Sequence, residues 1–437
     1  MVSYGACGIP YVIEGIINNF EELIERSVDI FKNQYHIDVI VNTHVQKIDS
    51  LKKQVYATDL DSGKETVFDY DSLVIATGAR ATVPNIKGID KKDVFLIRNY
   101  EDGIKINDSI KNACSCVIVG AGLIGLEMAE ALKKRNTETE EAGVTSTRRR
   151  KKEIDVTVVE MSDHILPTML DKNTASIVQR ELEENGVKVI VGERVEEIVG
   201  GNNRSRRNEQ VKTVKTSSNR EIYADFIIVG IGIRPNSEIA RDAGVELGYA
   251  NAIKVDEYMR TNIPDIFAAG DCATARNYIT DEDSYIPLGT TANKQGRVAG
   301  ENAAGGNAKF RGIAGSAITK VFGLFIGKTG LTREEALKYG FDDTVEEEIE
   351  SITRAGYYPG SKPIWIKIIA DRKSKRVLGS QIVGGEGVKE RIDLISLALL
   401  LKADIAHLAG YDACYVPPAS PVWEPVNIAA SQLAKKL

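Results

Sequence analysis

Long apolar runs are missing from this sequence. No stretch is long enough to span a bilayer, so membrane insertion is not expected. The N-terminus lacks the basic-then-apolar pattern of a secretory signal. Cysteine is scarce: five residues, with no regular spacing, cannot make a disulfide framework. The four histidines are scattered, no His/Cys set has zinc spacing, and no metal is expected. An excess of positive charge is also lacking. The formal net charge is −6, which argues against nucleic acid as the main partner. These absences leave a cytoplasmic globular protein. At 437 residues it is too long for one core, so two or three domains are expected.

What is present is an α/β rhythm. Residues 20–35 place Phe20, Leu23, Ile24, Val28 and Phe31 at helical spacing. Strands follow in "IDVIVNTHVQKID", in "KQVYATDL" and in "YDSLVIATGA", which runs into a Thr77-Gly78 turn. A second α/β unit opens at "CVIVGAGLIGLEMAEALKK" and returns through the strand "DVTVVE". The polar segment between them reads as a surface insertion, and "GGNNRSRRNEQ" as a further polar loop. Two more strands, "ADFIIVGIGIRPN" and "DIFAAGDCA", end in glycine turns. From about Phe310 the pattern becomes strand-rich, then helical over "VKERIDLISLALLLKADIAHLA", which reads as a third, α+β domain.

The strongest local motif is Gly120-Ala121-Gly122-Leu123-Ile124-Gly125, between a strand and a helix. Gly120 suits the tight turn, Gly122 lets a pyrophosphate approach the backbone, and Gly125 lets helix pack on strand. The helix N-terminus then favours phosphate. Glu160 ends the next strand, where a carboxylate can accept from a ribose 2′-hydroxyl. It lies 40 positions after Gly120, against a usual ~20; the insertion explains the excess if it loops out. The competing reading is an ordinary glycine turn, and the combination of strand, helix and terminal acid favours a dinucleotide. Gly270-Asp271 and the Ala76-Thr77-Gly78 turn are weak signals alone.

Cys7, in "SYGACGIPY", has no partner cysteine four or five residues away. Gly8 and Pro10 suit a turn into a helix, and a thiol there has a stabilised thiolate. A lone cysteine is as often a buried inert residue, and spacing alone leaves both readings open. Cys114, Cys116, Cys272 and Cys414 lie in or beside apolar segments, where the inert reading is favoured. "GYYPG" and "YVPPASPVWEPV" read either as rigid interface loops or as carriers of tyrosine hydroxyls to a catalytic site.

Taken in order, "VSYGACGIPYVIEG", "YDSLVIATGA", "VIVGAGLIGLEMAEAL", "IFAAGDCA", "PLGTTANKQGRVAGENAAG", "IGKTGLTREEALKYG", "GYYPG" and "YVPPASPVWEPV" resemble the single-cysteine flavoprotein disulfide reductases. The likeness is greatest to coenzyme A-disulfide reductases and prokaryotic NADH oxidases, and it covers nearly the whole chain. It implies a discontinuous FAD domain over residues 1–100 and 235–308, an NAD(P)H domain over 101–234 and a dimerisation domain over 309–437. Cys7 would form a mixed disulfide with coenzyme A, with Ser3 near it. Thr77, Gly78, Gly270, Asp271, Pro287, Leu288 and Ala292 fall on flavin-binding segments. Gly120, Gly122, Leu123, Ile124, Gly125 and Glu160 fall on the nicotinamide site, and Gly232 is a further cofactor-binding candidate. Tyr415 with Tyr357 or Tyr358 would reach the cysteine of the second subunit in a homodimer.

The resemblance departs at three places. Family members begin with a strand, a G-x-G-x-x-G turn and a helix that bind the ADP half of FAD, whereas this sequence starts at "MVSYGAC". Weak FAD binding is therefore expected. Ala6 stands where relatives often carry a polar residue, and the insertion before Glu160 is unusual. The function implied is NAD(P)H-driven reduction of coenzyme A disulfide or a related small disulfide. NADH oxidase and persulfide or polysulfide reductase are the near alternatives, and an inactive NAD-binding remnant is the alternative of another class. Glu160 favours NADH, with NADPH possible. The basic run Arg148 to Lys152 is expected to be a solvated loop.

Overall fold

The structure, a computed structural model, describes residues 2–111, 113–135, 138–139, 150–151, 153–200 and 212–437. The basic run Arg148 to Lys152 falls outside them except for the backbone of Arg150 and Lys151, and so does the whole of 201–211. The chain forms two compact units. One comprises Met1–Tyr4, Arg26–Arg80 and Ile233–Gly315; the other comprises Gly5–Glu25, Ala81–Gly232 and Ser316–Leu437. The fold class is mixed α/β with Rossmann-like sheets and a C-terminal α+β layer, as expected.

The second unit holds a five-stranded parallel sheet. Its spatial order is Val187–Ile190, Asp155–Val159, Ser115–Val119, Phe226–Val229, Val94–Leu96. Strands such as "CVIV" and "FIIV" are apolar at every position because both faces are covered. The strand order reverses at Ser115–Val119, the place where such sheets leave a crevice for ligands. The helix Leu123–Lys134 leaves that strand and buries Leu126, Met128, Ala129 and Leu132. An antiparallel meander, Val195–Val199, Lys212–Thr216 and Glu221–Ala224, packs Ile198, Val214 and Ile222 against Val117, Val119, Ile227 and Val229 of the sheet, a cluster that includes none of those helix residues. A second sheet, antiparallel, runs in the order Ala317–Val321, Leu324–Gly330, Val377–Gly384, Pro363–Asp371, Thr344–Ile352.

The first unit repeats part of this plan. A meander of Thr43–Asp49, Gln54–Asp59 and Glu65–Asp69 leads into Leu73–Ile75. That strand pairs in parallel with Ile266–Ala268, and among the described residues its other edge is unpaired. Ile48, Ile75, Val245, Ile253 and Ile266 form the core.

Three local expectations need correction. Residues 20–35 are not one helix. Asn19 caps a 3-10 turn over Phe20–Leu23, Ile24–Arg26 is extended, and a helix spans Val28–Tyr35. The Leu23 carbonyl accepts from Gly5 N–H at 2.8 Å, and this tertiary bond overrides the helical spacing. The strand expected from Ile37 starts at Thr43, because Asn42 takes a left-handed φ of 52°. The C-terminal helix is two, Val388–Leu400 and Ile405–Gly410. Lys402 turns the chain at φ 53°, and Asp404 caps the second helix by accepting from His407 N–H at 3.1 Å.

The C-terminal layer encloses an ion pair. Arg391 donates to both carboxylate oxygens of Glu424, at 2.5 and 3.0 Å, and the Ser420 hydroxyl adds a bond of 2.7 Å. Both charged groups are buried. Removing one partner strands the other charge, so Glu424→Ala is expected to cost about 3–5 kcal/mol in denaturant unfolding. Replacing both, with Arg391→Met and Glu424→Leu, should recover most of that loss.

Candidate functional site

The glycine turn is built by steric exclusion. Gly120 sits at φ +103°, and a Cβ there would meet Gly230 O at 2.7 Å. A Cβ on Gly125 would meet Gly120 O at 2.1 Å, so only glycine lets the helix start against the turn. At Gly122 a Cβ would meet nothing within 4 Å, which leaves open space above the backbone. Gly122 caps the helix without a side-chain acceptor, so the amides of the first turn, at Leu123 and Ile124, have no side-chain cap.

Glu160 closes the turn from below. Its Oε2 accepts from Ala121 N–H at 2.7 Å and its Oε1 from Ser162 N–H at 2.8 Å. The side chain is 9% exposed. The sequence reading gave this carboxylate to a ribose; the structure shows that it also clamps the backbone on both sides. Each oxygen keeps a further lone pair for a hydroxyl. Three residues on, Lys172 and His164 both bond Asp163 and hold its carboxyl down at about 2. Gly232, at φ +108°, is exposed, and its carbonyl accepts from Thr82 N–H at 2.9 Å.

Cys7 lies in the 3-10 turn Ala6–Gly8, directly ahead of the helix Ile9–Glu14, with Pro10 in the helix's first turn. It is exposed. A Cβ on Gly8 would meet Leu23 Cδ2 at 2.3 Å, so a side chain beside the cysteine needs Leu23 to shift. Cys116 and Cys272 are buried, and burial pushes both thiols up. Cys114 and Cys414 are exposed, which corrects the reading that apolar neighbours make them inert buried residues. Both flank their apolar segments and are not inside them.

The tyrosines divide. The hydroxyls of Tyr357 and Tyr415 are hydrogen-bonded to each other at 2.9 Å, on exposed side chains. That bond pushes the Tyr415 hydroxyl up. Tyr358 does not join them: its ring lies under Arg354, 5.8 Å from the guanidinium. The two loops are tied by Ala355 N–H donating to Pro417 O at 3.1 Å.

In the first unit, the Gly270-Asp271 turn follows Ile266–Ala268, with Gly270 at φ +82°. Ala292 sits beside it, 3.7 Å from where a Gly270 Cβ would stand. Pro287 and Leu288 lead into the helix Gly289–Ala303, which starts without a side-chain cap. Thr77 donates to Asn236 O at 2.5 Å, and Asn236 returns a bond to Thr77 O at 3.0 Å and one to Gly78 O at 2.9 Å. Ser3 is half-buried in the short strand Ser3–Tyr4.

Three supporting residues were not found from sequence. Buried Gln295 accepts from Gly270 N–H at 2.9 Å and donates to Thr274 O at 2.8 Å. The Tyr285 hydroxyl donates to Asp271 O at 2.8 Å. Asn236 fixes the Thr77-Gly78 turn. "NKQG" and "RPN" carry no spacing signal that would have marked them.

These geometries fit a dinucleotide at Gly120–Gly125, where open space meets a helix start without a side-chain cap. For a flavin, the first unit offers the Gly270-Asp271 and Thr77-Gly78 turns and the open start of Gly289–Ala303. The sequence contains one G-x-G-x-x-G turn, and it lies in the other unit.

The signature of the pyridine nucleotide-disulphide oxidoreductases matches residues 1–296. The dimerisation-domain signature of the same group matches residues 316–425. The chain belongs to this family. It is therefore an NAD(P)H-dependent flavoprotein oxidoreductase by descent. Among relatives, an NADH oxidase of Methanocaldococcus jannaschii is 42% identical over the whole chain and 91% of that protein. A CoA-dependent NAD(P)H sulfur oxidoreductase of Pyrococcus abyssi is 37% identical over 99% of the chain and 90% of that protein. Among solved structures, an NAD-dependent persulfide reductase from A. fulgidus is 38% identical, with a TM-score of 0.91. The match covers all of this chain and 77% of that one.

The Glu160 geometry makes a prediction for this oxidoreductase. Glu160→Ala leaves two backbone N–H groups without acceptors and loosens the turn that would face a nucleotide. NADH affinity, read by fluorescence titration, should fall about 10- to 150-fold, as for loss of a charge-assisted bond worth ~1.5–3 kcal/mol. The gap to NADPH should narrow, since a 2′-phosphate no longer meets a carboxylate. Unchanged NADH affinity would show that the clamp is dispensable.

Proposed function

We propose that the chain reduces a small disulfide, with coenzyme A as the thiol, through Cys7 and at the expense of NADH. The observation that carries this reading is the exposed position of Cys7 in a turn that feeds a helix. The CoA-dependent sulfur oxidoreductase among the relatives supports it. In this reading residues 1–100 and 235–308 serve FAD, residues 101–234 serve the nicotinamide and residues 309–437 pair two copies into a homodimer. The compartment is the cytoplasm.

The chain's own groups have separable roles. Gly122 and the amides after it hold a pyrophosphate, and Glu160 receives the ribose. Asp271, with the Thr77-Gly78 turn, Pro287, Leu288 and Ala292, lies along the flavin. Two-electron transfer from nicotinamide hydride to sulfur is the chemistry that a bound flavin supplies. The Cys7 thiolate attacks one sulfur of the substrate. A Cys7–thiol mixed disulfide forms as the other sulfur leaves as thiolate. The Tyr357–Tyr415 hydroxyl pair, offered by the second subunit, donates to the departing thiolate.

A second reading is favoured by the 42% relative, whose name is NADH oxidase. Oxygen would then take the electrons in place of a disulfide. A persulfide or polysulfide substrate is the third, from the A. fulgidus structure.

The experiment compares NADH consumption with coenzyme A disulfide, polysulfide and oxygen, in protein supplied with FAD. Cys7→Ser should lose at least ~100-fold of disulfide reduction, as nucleophile removal does, and keep NADH-driven bleaching of the flavin. A Ser variant that reduces coenzyme A disulfide at the parent rate would overturn the proposal.

A further inference from the structure

Two lysines of the C-terminal sheet are buried, and the proposed chemistry uses neither. Lys328 lies on Leu324–Gly330 and Lys367 on Pro363–Asp371. The strand Val377–Gly384 runs between these two and places Gln381 directly opposite both lysines. The three side chains therefore form one row across the same face of the sheet.

A buried ammonium is costly unless it is paired, so the partners of this row matter. All three side chains reach the segment that follows Glu160. Lys328 donates to Thr168 O at 3.0 Å and to the Glu335 carboxylate at 2.7 Å. Lys367 donates to the Asp171 carboxylate at 3.0 Å, with Glu348 3.4 Å away. Gln381 Oε1 accepts from Asp171 N–H at 2.8 Å. Burial opposes the charge on Lys367, but Asp171, with Glu346 and Glu348, holds the ammonium above its usual range.

The other end of the segment belongs to the glycine turn. Residues 161–170 contain no helix or strand, so their path is set by individual bonds. Leu166 N–H donates to Ala121 O at 2.9 Å, and Ala121 N–H donates to Glu160 at 2.7 Å. Both backbone groups of Ala121, the residue between Gly120 and Gly122, are thus bonded to the stretch 160–166. Leu166 is fully buried and takes a left-handed φ of 51°, a conformation that leucine keeps only where its surroundings impose it. Thr168 and Asp171, the points that the sheet holds, follow closely.

We propose that Lys328 and Lys367 are positioning residues for the nicotinamide nucleotide. They pin the segment 161–171 to the C-terminal sheet, and the pinned segment holds Leu166 and Glu160 against the turn that would carry the pyrophosphate. This rests on the reading that places the nucleotide over Gly120–Gly125. The hold acts on the ADP half, because the segment begins at the carboxylate assigned to its ribose. Nucleotide affinity is thereby coupled to the packing of the C-terminal sheet, and the coupling runs both ways.

The test reads ADP-ribose binding by calorimetry and amide hydrogen exchange by mass spectrometry, on the full chain. ADP-ribose carries the half of the nucleotide at issue and needs no flavin. In the parent it should slow exchange over 120–126 and over 162–172. Lys328→Met keeps an apolar stem in the sheet and leaves the exposed Thr168 to water. It should weaken ADP-ribose about fivefold, within the range for residues that modulate a site without touching its ligand. The slowing over 162–172 should shrink with it. Lys328→Arg should restore most of the affinity. In protein supplied with FAD, flavin bleaching should show the same loss in the half-saturating NADH concentration, with the limiting rate kept. A lysine that serves only the fold would lower the melting temperature of Lys328→Met and leave ADP-ribose affinity at the parent value; that result would overturn the proposal. If Lys328→Met does not fold, Asp171→Asn carries the same expectation, since it keeps the bond to Gln381 and removes the charge that faces Lys367. If ADP-ribose slows no exchange over 120–126 in the parent, the nucleotide sits elsewhere, and the site reading falls together with this one.

Discussion

The second unit is organised by one steric constraint, the approach of Gly125 to the Gly120 carbonyl. A side chain at either glycine would force the helix off the strand. That helix carries Leu126, Met128, Ala129 and Leu132 into the core, and it carries Glu127 and Glu130 to a small cavity that they share with Glu14. Glu160 then fixes the turn from the next strand through two backbone bonds. The same few atoms thus set the helix direction, the open space above Gly122 and the position of Glu127 and Glu130. A shift at the turn would be felt at all three, because close-packed interiors transmit displacement.

Glu130 illustrates how a buried charge is made tolerable. Two lysines and a backbone amide converge on it. Such a carboxylate is held by its partners and costs little once they are in place. The consequence falls on its neighbours. Glu127 meets burial and the like charge of Glu130 with only the Thr319 hydroxyl opposing, whereas Lys134 and Lys320 partly offset burial at Glu14. Glu130 and Glu127 therefore sit one helical turn apart with opposite displacements of their carboxyls.

Much of this was legible in the sequence, where the demand is local. The Gly120–Gly125 turn needs glycine at fixed spacing, and strand, helix and terminal acid confirmed its context even across a long insertion. The turn at Cys7 was legible from Gly8 and Pro10. What failed was decided through space. The helical spacing of residues 20–35 yields to the Gly5–Leu23 backbone bond. The long C-terminal helix yields to one left-handed residue, Lys402. Gln295, Tyr285 and Asn236 hold turns distant in sequence, and nothing in their neighbours announces it. Glu160 was found, but its clamp on the backbone was not, because a motif fixes residue type and leaves open which donors a carboxylate meets.

The repeated plan of the two units gives the remaining step. In the second unit the strand after the meander, Phe226–Val229, is paired on both sides, by Ser115–Val119 and Val94–Leu96. In the first unit its counterpart Leu73–Ile75 is paired with Ile266–Ala268 alone among the described residues. By this correspondence the open edge of Leu73–Ile75 occupies the place that Ser115–Val119, with its glycine turn, fills in the second unit. An unpaired strand edge is costly, and folds ordinarily cover it. Thr77 and Gly78, at the end of that strand, are held instead by Asn236, which keeps the turn in shape without a neighbour on the open side. The Thr77-Gly78 and Gly270-Asp271 turns are thus kept in order by side-chain bonds within the unit, from Asn236, Gln295 and Tyr285.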